Sequence, residues 1–378
     1  MTRTYHDFFS LFRQWSKQED LWDVLKRNHL PIYIYGMGNG ADRLAERLHL
    51  LGVSESGYFA SDGFVRGQFF RGHKVQSFSE VAEREGNFIA LLAFGSRLPQ
   101  VIDGFRAMQE SVSFFVPDLP LIGEDFFDRA FLSEHTEPLA EACFTLSDAA
   151  SRDLFCDLVQ YKLTGDLSVL MRAVNSHAPS FRLGDREAIV DLGAYNGDSI
   201  SAFRMAYPQI SDYIAVEADE RNFRKLEKYA ENSKADDVSI LAYLGAAGAE
   251  EGSTAFFSSG NRNSSKTNPS HQKKAVSVPV ITVDRICNER SVGLIKFDVE
   301  GMEGEALLGA MATVARCRPV LKLSVYHRSE DLYRLLLLCK ERYPNTFYYL
   351  RRSSCVPAWE VDLYVIPEER RTTKCPSC

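Results

Sequence analysis

Residues 187–199, E-A-I-V-D-L-G-A-Y-N-G-D-S, limit the possible folds of this chain more than any other segment. The segment begins with apolar and β-branched residues, which favour a β-strand. Two glycines, Gly193 and Gly197, then favour a tight turn, and either Asp198 or Ser199 is suited to cap a following helix. The pattern therefore predicts a strand, a glycine-rich turn and a helix, the building unit of α/β folds.

The alternation of apolar strands and amphipathic helices continues to the end of the chain. Between residues 256 and 274 it is interrupted by a segment rich in Ser and Asn, which predicts a long exposed loop of the kind that often borders a site. The last two strands resemble a hairpin. We predict strands at 188–192, 213–217, 238–243, 276–283, 293–297, 320–326, 346–351 and 361–366, and helices at 198–206, 220–233, 302–315 and 330–343. This order indicates a doubly wound, mostly parallel sheet.

A smaller α/β pattern precedes this one. Amphipathic helices are predicted at 7–28, and the following P-I-Y-I-Y-G-M-G-N-G-A matches G-x-G-x-x-A. Asp62 then stands where a Rossmann unit binds a ribose. Such a turn either packs a helix tightly on a sheet or binds a nucleotide or nucleotide-sugar. The predicted divisions are a Rossmann-like domain with N-terminal helices at 1–118, a helical connector at 119–182, the larger α/β domain at 183–368 and a tail at 369–378.

Ligands of doubly wound folds bind beyond the carboxyl ends of the strands, so the residues at those ends are the candidate site. Asp191 and Glu217 end the first two strands of the larger domain, and an acid at the second position can accept hydrogen bonds from both ribose hydroxyls of an adenosine. Asp298 and Glu300 follow a later buried strand, where a carboxylate can deprotonate a hydroxyl or bind a divalent cation. His327 follows the next strand and is a further candidate base. We predict that Asp298, Glu300 and His327 are catalytic, and the need for a metal stays open.

The first turn of the larger domain differs from the dinucleotide fingerprint, because D-x-G-x-x-x-G replaces G-x-G-x-x-G. A carboxylate at the strand end can orient the sulfonium and ammonium groups of S-adenosylmethionine (SAM), which has no pyrophosphate. The pattern therefore favours SAM over NAD. The predicted cofactor-binding residues are Asp191, Gly193, Ala194, Asn196, Gly197, Asp198, Ser199, Glu217, Ala218, Gly245, Ala246 and Asp298.

Four ordered motifs resemble the FkbM family of methyltransferases: V-D-L-G-A-Y-N-G-D-S, Y-I-A-V-E-A-D-E-R-N-F-R-K-L, L-I-K-F-D-V-E-G-M-E-G-E-A-L-L-G-A and L-S-V-Y-H-R-S-E-D-L. The resemblance covers residues 188–367, and Met302 stands where the family motif has alanine. It implies a class I methyltransferase fold and SAM-dependent O-methylation of a sugar, glycan or other small-molecule hydroxyl, as in polysaccharide biosynthesis. The N-terminal part loosely resembles the Rossmann-like units that precede some of these enzymes.

Composition excludes some classes of function. A net charge of -7 disfavours a nucleic-acid partner, and no run of about 18 apolar residues predicts a membrane span. The N-terminal residues lack the features of a signal peptide, so we expect a cytoplasmic protein that acts on a small-molecule or glycan acceptor. The alternative is a non-catalytic protein that binds or senses a nucleotide or nucleotide-sugar. An NAD-dependent epimerase or dehydrogenase fits less well, because a suitably placed Y-x-x-x-K pair is missing.

Overall fold

The computed structural model of this chain describes residues 3–256 and 276–372. Residues 257–274 of the predicted polar loop, and residues 373–378 of the predicted tail, lie outside the described residues. The described part contains two mainly parallel sheets with helices, which confirms the predicted α/β class. No helix in the described ranges combines the length and the apolar character needed to cross a membrane.

The N-terminal domain is built on a five-stranded sheet in which every paired strand is parallel. Its elements are α1 (Tyr5–Trp15), α2 (Leu21–Arg27), β1 (Ile32–Tyr35), α3 (Asn39–Leu50), β2 (Gly57–Ala60), β3 (Phe69–Phe70), β4 (His73–Lys74), β5 (Gln76–Ser77), α4 (Phe78–Glu85), β6 (Ile89–Leu92), α5 (Pro99–Ser111) and β7 (Ser113–Phe115). The strand order is β5-β2-β1-β6-β7, so the predicted Rossmann-like alternation is present.

The glycine-rich turn of this domain packs a helix against the sheet. A Cβ at Gly40 would lie 2.2 Å from the carbonyl oxygen of Ala93, so α3 approaches the end of β6 more closely than a larger residue allows. Asp62, the predicted ribose acid, accepts a hydrogen bond from Ser79 Oγ at 2.6 Å. These contacts favour the packing interpretation of the turn over the nucleotide interpretation.

The predicted connector is helical and packs on both domains. It contains α6 (Arg129–Glu134), α7 (Thr136–Thr145), α8 (Ala149–Thr164) and α9 (Leu167–Arg172). Phe12 of α1 packs on Phe155 of α8. From the other side, Arg351 donates to Asp148 Oδ2 at 2.9 Å and Arg352 donates to Ala173 O at 2.5 Å. The connector is therefore part of the core, and the predicted domain boundaries remain predictions.

The C-terminal domain has a seven-stranded sheet of order β10-β9-β8-β14-β15-β17-β16, in which only β17 runs antiparallel to its neighbours. Its elements are β8 (Ala188–Leu192), α10 (Asp198–Ala206), β9 (Asp212–Glu217), α11 (Glu220–Ser233), β10 (Ser239–Leu244), β11 (Ala246–Ala247), β12 (Gly252–Phe256), β13 (Val276–Ile281), α12 (Val283–Cys287), β14 (Val292–Phe297), α13 (Glu303–Leu308), α14 (Met311–Cys317), β15 (Val320–Ser324), α15 (Asp331–Arg342), β16 (Thr346–Arg352) and β17 (Val361–Pro367). The last two strands form the predicted hairpin.

The sheet order reverses between β8 and β14. From β8 the chain builds outward through β9 and β10, and it then returns to place β14 on the other side of β8. Every residue of β8 and β14 is buried, because helices cover both faces of this part of the sheet. The carboxyl ends of these two strands therefore meet at a topological switch point, where ligands of doubly wound folds bind.

Two sequence predictions differ from the structure in this domain. The predicted strand at 276–283 belongs to a separate three-stranded sheet, β11-β13-β12, and α12 follows it. The predicted helix at 302–315 is divided into α13 and α14 near Gly309. A Cβ at Gly309 would lie 2.0 Å from the carbonyl oxygen of Gly248, so the helix is interrupted where the backbone of the small sheet approaches it. Periodicity alone does not reveal such a contact.

Candidate active site

The carboxyl ends of β8, β9, β14 and β15 border a cavity of about 870 Å³ at the switch point. Its volume falls in the range of roughly 300–1,000 Å³ that is typical of pockets for small molecules. The N-terminal domain contributes residues 95–98, which follow β6, and the loop before β17 contributes Trp359 and Glu360. This cavity is the candidate active site.

Most of the predicted site residues border this cavity. They are Gly193, Asp198, Ser199, Glu217, Ala218, Gly245, Ala246, Asp298, Glu300 and His327. Asp191, Ala194, Asn196 and Gly197 are not among the lining residues. The predicted side-chain cap is wrong, because Gly197 occupies the N-cap position of α10 and neither Asp198 nor Ser199 does.

Two glycines bring the turn after β8 close to its neighbours. Gly193 has a φ of +78°, and a Cβ there would lie 1.9 Å from the carbonyl oxygen of Asp298. Gly197 has a φ of +92°, and its Cβ would lie 2.5 Å from the ring of Tyr229. Both the backbone conformation and the space require glycine. The turn can therefore approach the end of β14 and helix α11 closely.

Asp191 lies behind the cavity wall, where it holds a lysine. Its side chain is completely buried, and Lys296 Nζ lies 2.9 Å from its Oδ1. Lys296 also donates to Gly193 O at 3.2 Å and lies 3.7 Å from Asp298 Oδ2. Burial alone would lower the pKa of Lys296, but Asp191 and Asp298 raise it overall. Asp191 therefore supports Lys296 and, through it, the turn at Gly193. It does not border the cavity, as the predicted direct contact with a ligand would require.

Glu217 lies at the end of β9 and faces the cavity. Its Oε2 accepts a hydrogen bond from Tyr195 N at 2.8 Å, and its Oε1 accepts one from Asp219 N at 2.7 Å. Only 8% of the residue is exposed, and burial raises its pKa to about 7 although both amides favour the ionised form. These two bonds fix the orientation of the carboxylate at the cavity surface.

A group of three carboxylates surrounds His327 beyond β14 and β15. His327 Nε2 lies 3.6 Å from both Asp298 Oδ1 and Glu300 Oε2, and its Nδ1 lies 3.0 Å from Glu303 Oε1. The side chains of Asp298 and Glu300 are 32% and 26% exposed, whereas those of His327 and Glu303 are almost completely buried. Asp298 and Glu300 are therefore the acids of this group that a ligand can reach.

Backbone hydrogen bonds position both the loop that carries these acids and the segment that carries His327. Glu303 Oε1 accepts hydrogen bonds from the backbone amides of Val299 and Gly301, at 2.9 and 3.3 Å. Glu300 between them has a φ of +53°, an uncommon conformation for a residue with a side chain that is often found at functional sites. From the connector, Ile122 N donates to His327 O at 3.0 Å. The connector therefore helps to position the histidine.

Burial and neighbouring charges separate the pKa values of this group. Burial raises the pKa of Glu300 to about 8, and the nearby carboxylates contribute to the increase. Burial would also raise the pKa of Asp298, but nearby cations, first among them Lys296, lower it to about 2. For His327, burial lowers the pKa, but Glu303 and the other acids raise it to about 10. At neutral pH, His327 is thus a cation, Asp298 is ionised and Glu300 titrates.

The group also has a spacing that suits a metal ion. One ligand atom each of Asp298, Glu303 and His327 lies within 4.8 Å of the others. Two carboxylates and an imidazole are suitable donors for a divalent cation. However, one oxygen of Glu303 already accepts two backbone hydrogen bonds, so an ion would have to compete with them or use the other oxygen.

A sequence model described as the methyltransferase FkbM domain matches residues 191–343, the segment that contains these strand ends. The chain carries an FkbM methyltransferase domain. This match confirms the resemblance seen in the four motifs and identifies the protein as a methyltransferase. The search of curated proteins found no significant match to this sequence.

A solved structure matches the fold of this chain well beyond this domain. The crystal structure of methyltransferase FkbM from Methylobacillus flagellatus KT matches 96% of this chain and 99% of its own, with a TM-score of 0.68 and 19% identity. At that identity the likeness establishes a shared fold. A methyltransferase from Geobacter sulfurreducens covers 49% of this chain and 71% of its own, with a TM-score of 0.29 and 13% identity, and carries no argument.

Four residues at or beside this cavity were not identified from the sequence. Lys296 is a charged residue inside a buried strand, and this was a usable signal that it has a buried partner. Glu303 lies at the N-terminus of α13, where an acid is common for reasons of helix stability, so its position did not indicate its contacts to the preceding loop and His327. Arg97 and Trp359 border the cavity from loops that are distant in sequence, so no local pattern indicates them.

Proposed function

We propose that this methyltransferase uses SAM to methylate a hydroxyl of a sugar, glycan or other small-molecule acceptor. One observation carries the proposal: Glu217 and the pair Asp298 and Glu300 border the same cavity of the FkbM domain. The first is a suitable ribose ligand, and the pair can take a proton from a hydroxyl. A process such as polysaccharide biosynthesis would supply acceptors of this kind.

The residues at the ends of β8 and β9 fit SAM. Each oxygen of Glu217 uses one lone pair for a backbone amide, and one lone pair on each remains for the two ribose hydroxyls. Gly193, Gly245 and Ala246 border the cavity, so a ligand there can approach the backbone at the ends of β8 and β10. When bound, SAM supplies a methyl group on a positively charged sulfur. The fully buried Asp191 acts indirectly, by holding Lys296 against the carbonyl of Gly193.

Glu300 is the base that we propose for the acceptor hydroxyl. Glu300 would accept the proton of the acceptor hydroxyl, while bound SAM would supply the methyl group and keep the electron pair of its carbon–sulfur bond. A base is most effective when its pKa lies near the working pH, and burial places that of Glu300 at about 8. Asp298, with a pKa of about 2, holds a proton poorly, and His327 is already protonated. We assign to these two residues the positioning of Glu300 and of the acceptor.

Calorimetry of the full-length protein with SAM, S-adenosylhomocysteine (SAH), NAD and UDP-glucose tests the proposed cofactor. We expect SAM and SAH to bind at one site and NAD not to bind. Release of SAH in the presence of a panel of sugars and glycosides then tests O-methylation. Binding of UDP-glucose without binding of SAM would instead support the alternative of a nucleotide-sugar sensor.

A further inference from the structure

The cavity has a second wall, which is shared between the two domains. Ser96 N donates to Val356 O at 2.8 Å, and Val356 N donates to Ser96 O at 3.1 Å. Beside this pair, the ring of Trp359 packs on Gly95, where a Cβ would lie 2.1 Å from its Cζ3. The loop after β6 and the loop before β17 therefore fit together, and the fit needs a residue without a side chain at position 95.

The polar side chains of this wall are paired with each other. Arg97 of the N-terminal domain forms an ion pair with Glu360, and Lys322 of β15 lies 3.0 Å from Asp362 of β17. All four, together with Trp359, border the cavity. We call these five residues the acceptor wall. It offers hydrogen-bond donors and acceptors next to an aromatic ring, but its charges compensate one another.

The charges of the whole cavity lining also bear on which ligands it can bind. Its described lining has no excess of cations over acids, so the net charge of the cavity does not attract an anionic ligand. The acids are Asp198, Glu217, Asp298, Glu300, Glu360 and Asp362, and the cations are Arg97, Lys296, Lys322 and His327. A phosphate or carboxylate on the acceptor would also need a cation without a partner, and Arg97 and Lys322 both have one.

We infer that the acceptor wall binds the ring of a neutral sugar, which rests on Trp359 while its hydroxyls contact the Arg97–Glu360 and Lys322–Asp362 pairs. The apolar C–H face of such a ring suits an aromatic surface, and its hydroxyls both donate and accept hydrogen bonds. The inference rests on the proposed function and adds a role for the N-terminal domain: its loop at 95–98 completes the acceptor subsite. The acceptor is thereby specified as uncharged, which excludes uronic acids and sugar phosphates.

Saturation-transfer NMR of the full-length protein with bound SAH tests this inference. The neutral probes are methyl α-D-glucoside, methyl α-D-mannoside, methyl β-D-galactoside and methyl α-L-rhamnoside, and the charged probes are glucuronic acid and glucose 1-phosphate. We expect at least one neutral probe to bind more tightly than both charged probes. Loss of the aromatic surface in Trp359→Ala should weaken that binding about tenfold.

Arg97→Ala is a second variant, and it removes no atom from the contact between Trp359 and Gly95. We expect it to weaken the binding of the same neutral probe several-fold. Phe64→Ala and Arg106→Ala are matched controls, because both side chains are exposed and neither borders the cavity. Failure of every neutral probe to bind, tighter binding of a charged probe, or unchanged binding in both variants would overturn the inference. The affinity for SAH, measured in parallel, tests the proposed cofactor separately, because neither variant changes Gly193 or Glu217.

Discussion

Lys296 and Asp191 form a buried ion pair between the two central strands of the sheet, with Nζ 2.9 Å from Oδ1. The pair joins β8 to β14 at the level where both strands end, and Lys296 extends the connection to Gly193 O. The ammonium group of Lys296 thus connects the end of β14 with the end of β8 and with the turn that follows it.

Replacing Asp191 by Ala should reduce the free energy of unfolding by about 3 kcal/mol, because it leaves a buried ammonium without its closest partner. Urea unfolding followed by circular dichroism measures the change. The control is Asp236→Ala, which breaks an exposed pair with Arg204 and should cost less than about 1 kcal/mol. A loss in Asp191→Ala no larger than in the control would contradict a stabilising role for the buried pair.

Gly193→Ala should weaken SAM binding and lower stability. The substitution combines a φ of +78° with a Cβ only 1.9 Å from Asp298 O, so the turn or the end of β14 must move. Gly104→Ala is the matched control, since it lies inside α5 with no atom within 4 Å of a new Cβ, and we expect it to raise stability by about 0.5–1 kcal/mol. Thermal unfolding and calorimetry distinguish the two outcomes.

Glu217→Ala should weaken SAM binding roughly tenfold to a hundredfold, because charge-assisted hydrogen bonds to the ribose are worth about 1.5–3 kcal/mol. Calorimetry of the folded variant measures the change. Glu220→Ala, an exposed acid at the start of the next helix, should leave the affinity unchanged. Equal affinities in all three proteins would place the ribose elsewhere.

The rate of methyl transfer should rise with pH and level off above about 8. Only the ionised form of Glu300 accepts a proton, and its pKa of about 8 means that this form increases through the neutral range. Glu300→Gln should lower the rate by about 10²- to 10⁴-fold and abolish this rise. In Asp298→Asn the rise should shift to lower pH, because the charge of Asp298 raises the pKa of Glu300. A wild-type rate that is constant between pH 6 and 9 would argue against Glu300 as the base.

Chelation should leave the rate unchanged if Glu300 takes the proton directly, as we propose. Dialysis against EDTA followed by an activity measurement tests this expectation. If activity is lost and Mg²⁺ restores it, Asp298, Glu303 and His327 become the candidate ligands, because their donor atoms lie within 4.8 Å of one another.

The sequence by itself determined the order of the strands and helices that build the site. Strand 188–192 and helices 198–206 and 220–233 have the predicted bounds, because their hydrophobic periods are strong and their ends carry glycines or capping residues. Once a parallel sheet is predicted, its carboxyl ends must meet at one edge. Glu217, Asp298 and Glu300 therefore come together at a cavity for a reason that is visible in the sequence.

Tertiary structure decided what each of these side chains contacts. Asp191 was expected to face a ligand, but the register of β14 places Lys296 beside it, and a buried charge must be compensated. Glu303 contacts His327 only because α13 begins and β15 ends at the same edge of the sheet. Arg97 and Trp359 meet at the cavity because the two domains pack together, and this packing joins residues more than 250 positions apart, a separation that local periodicity does not encode.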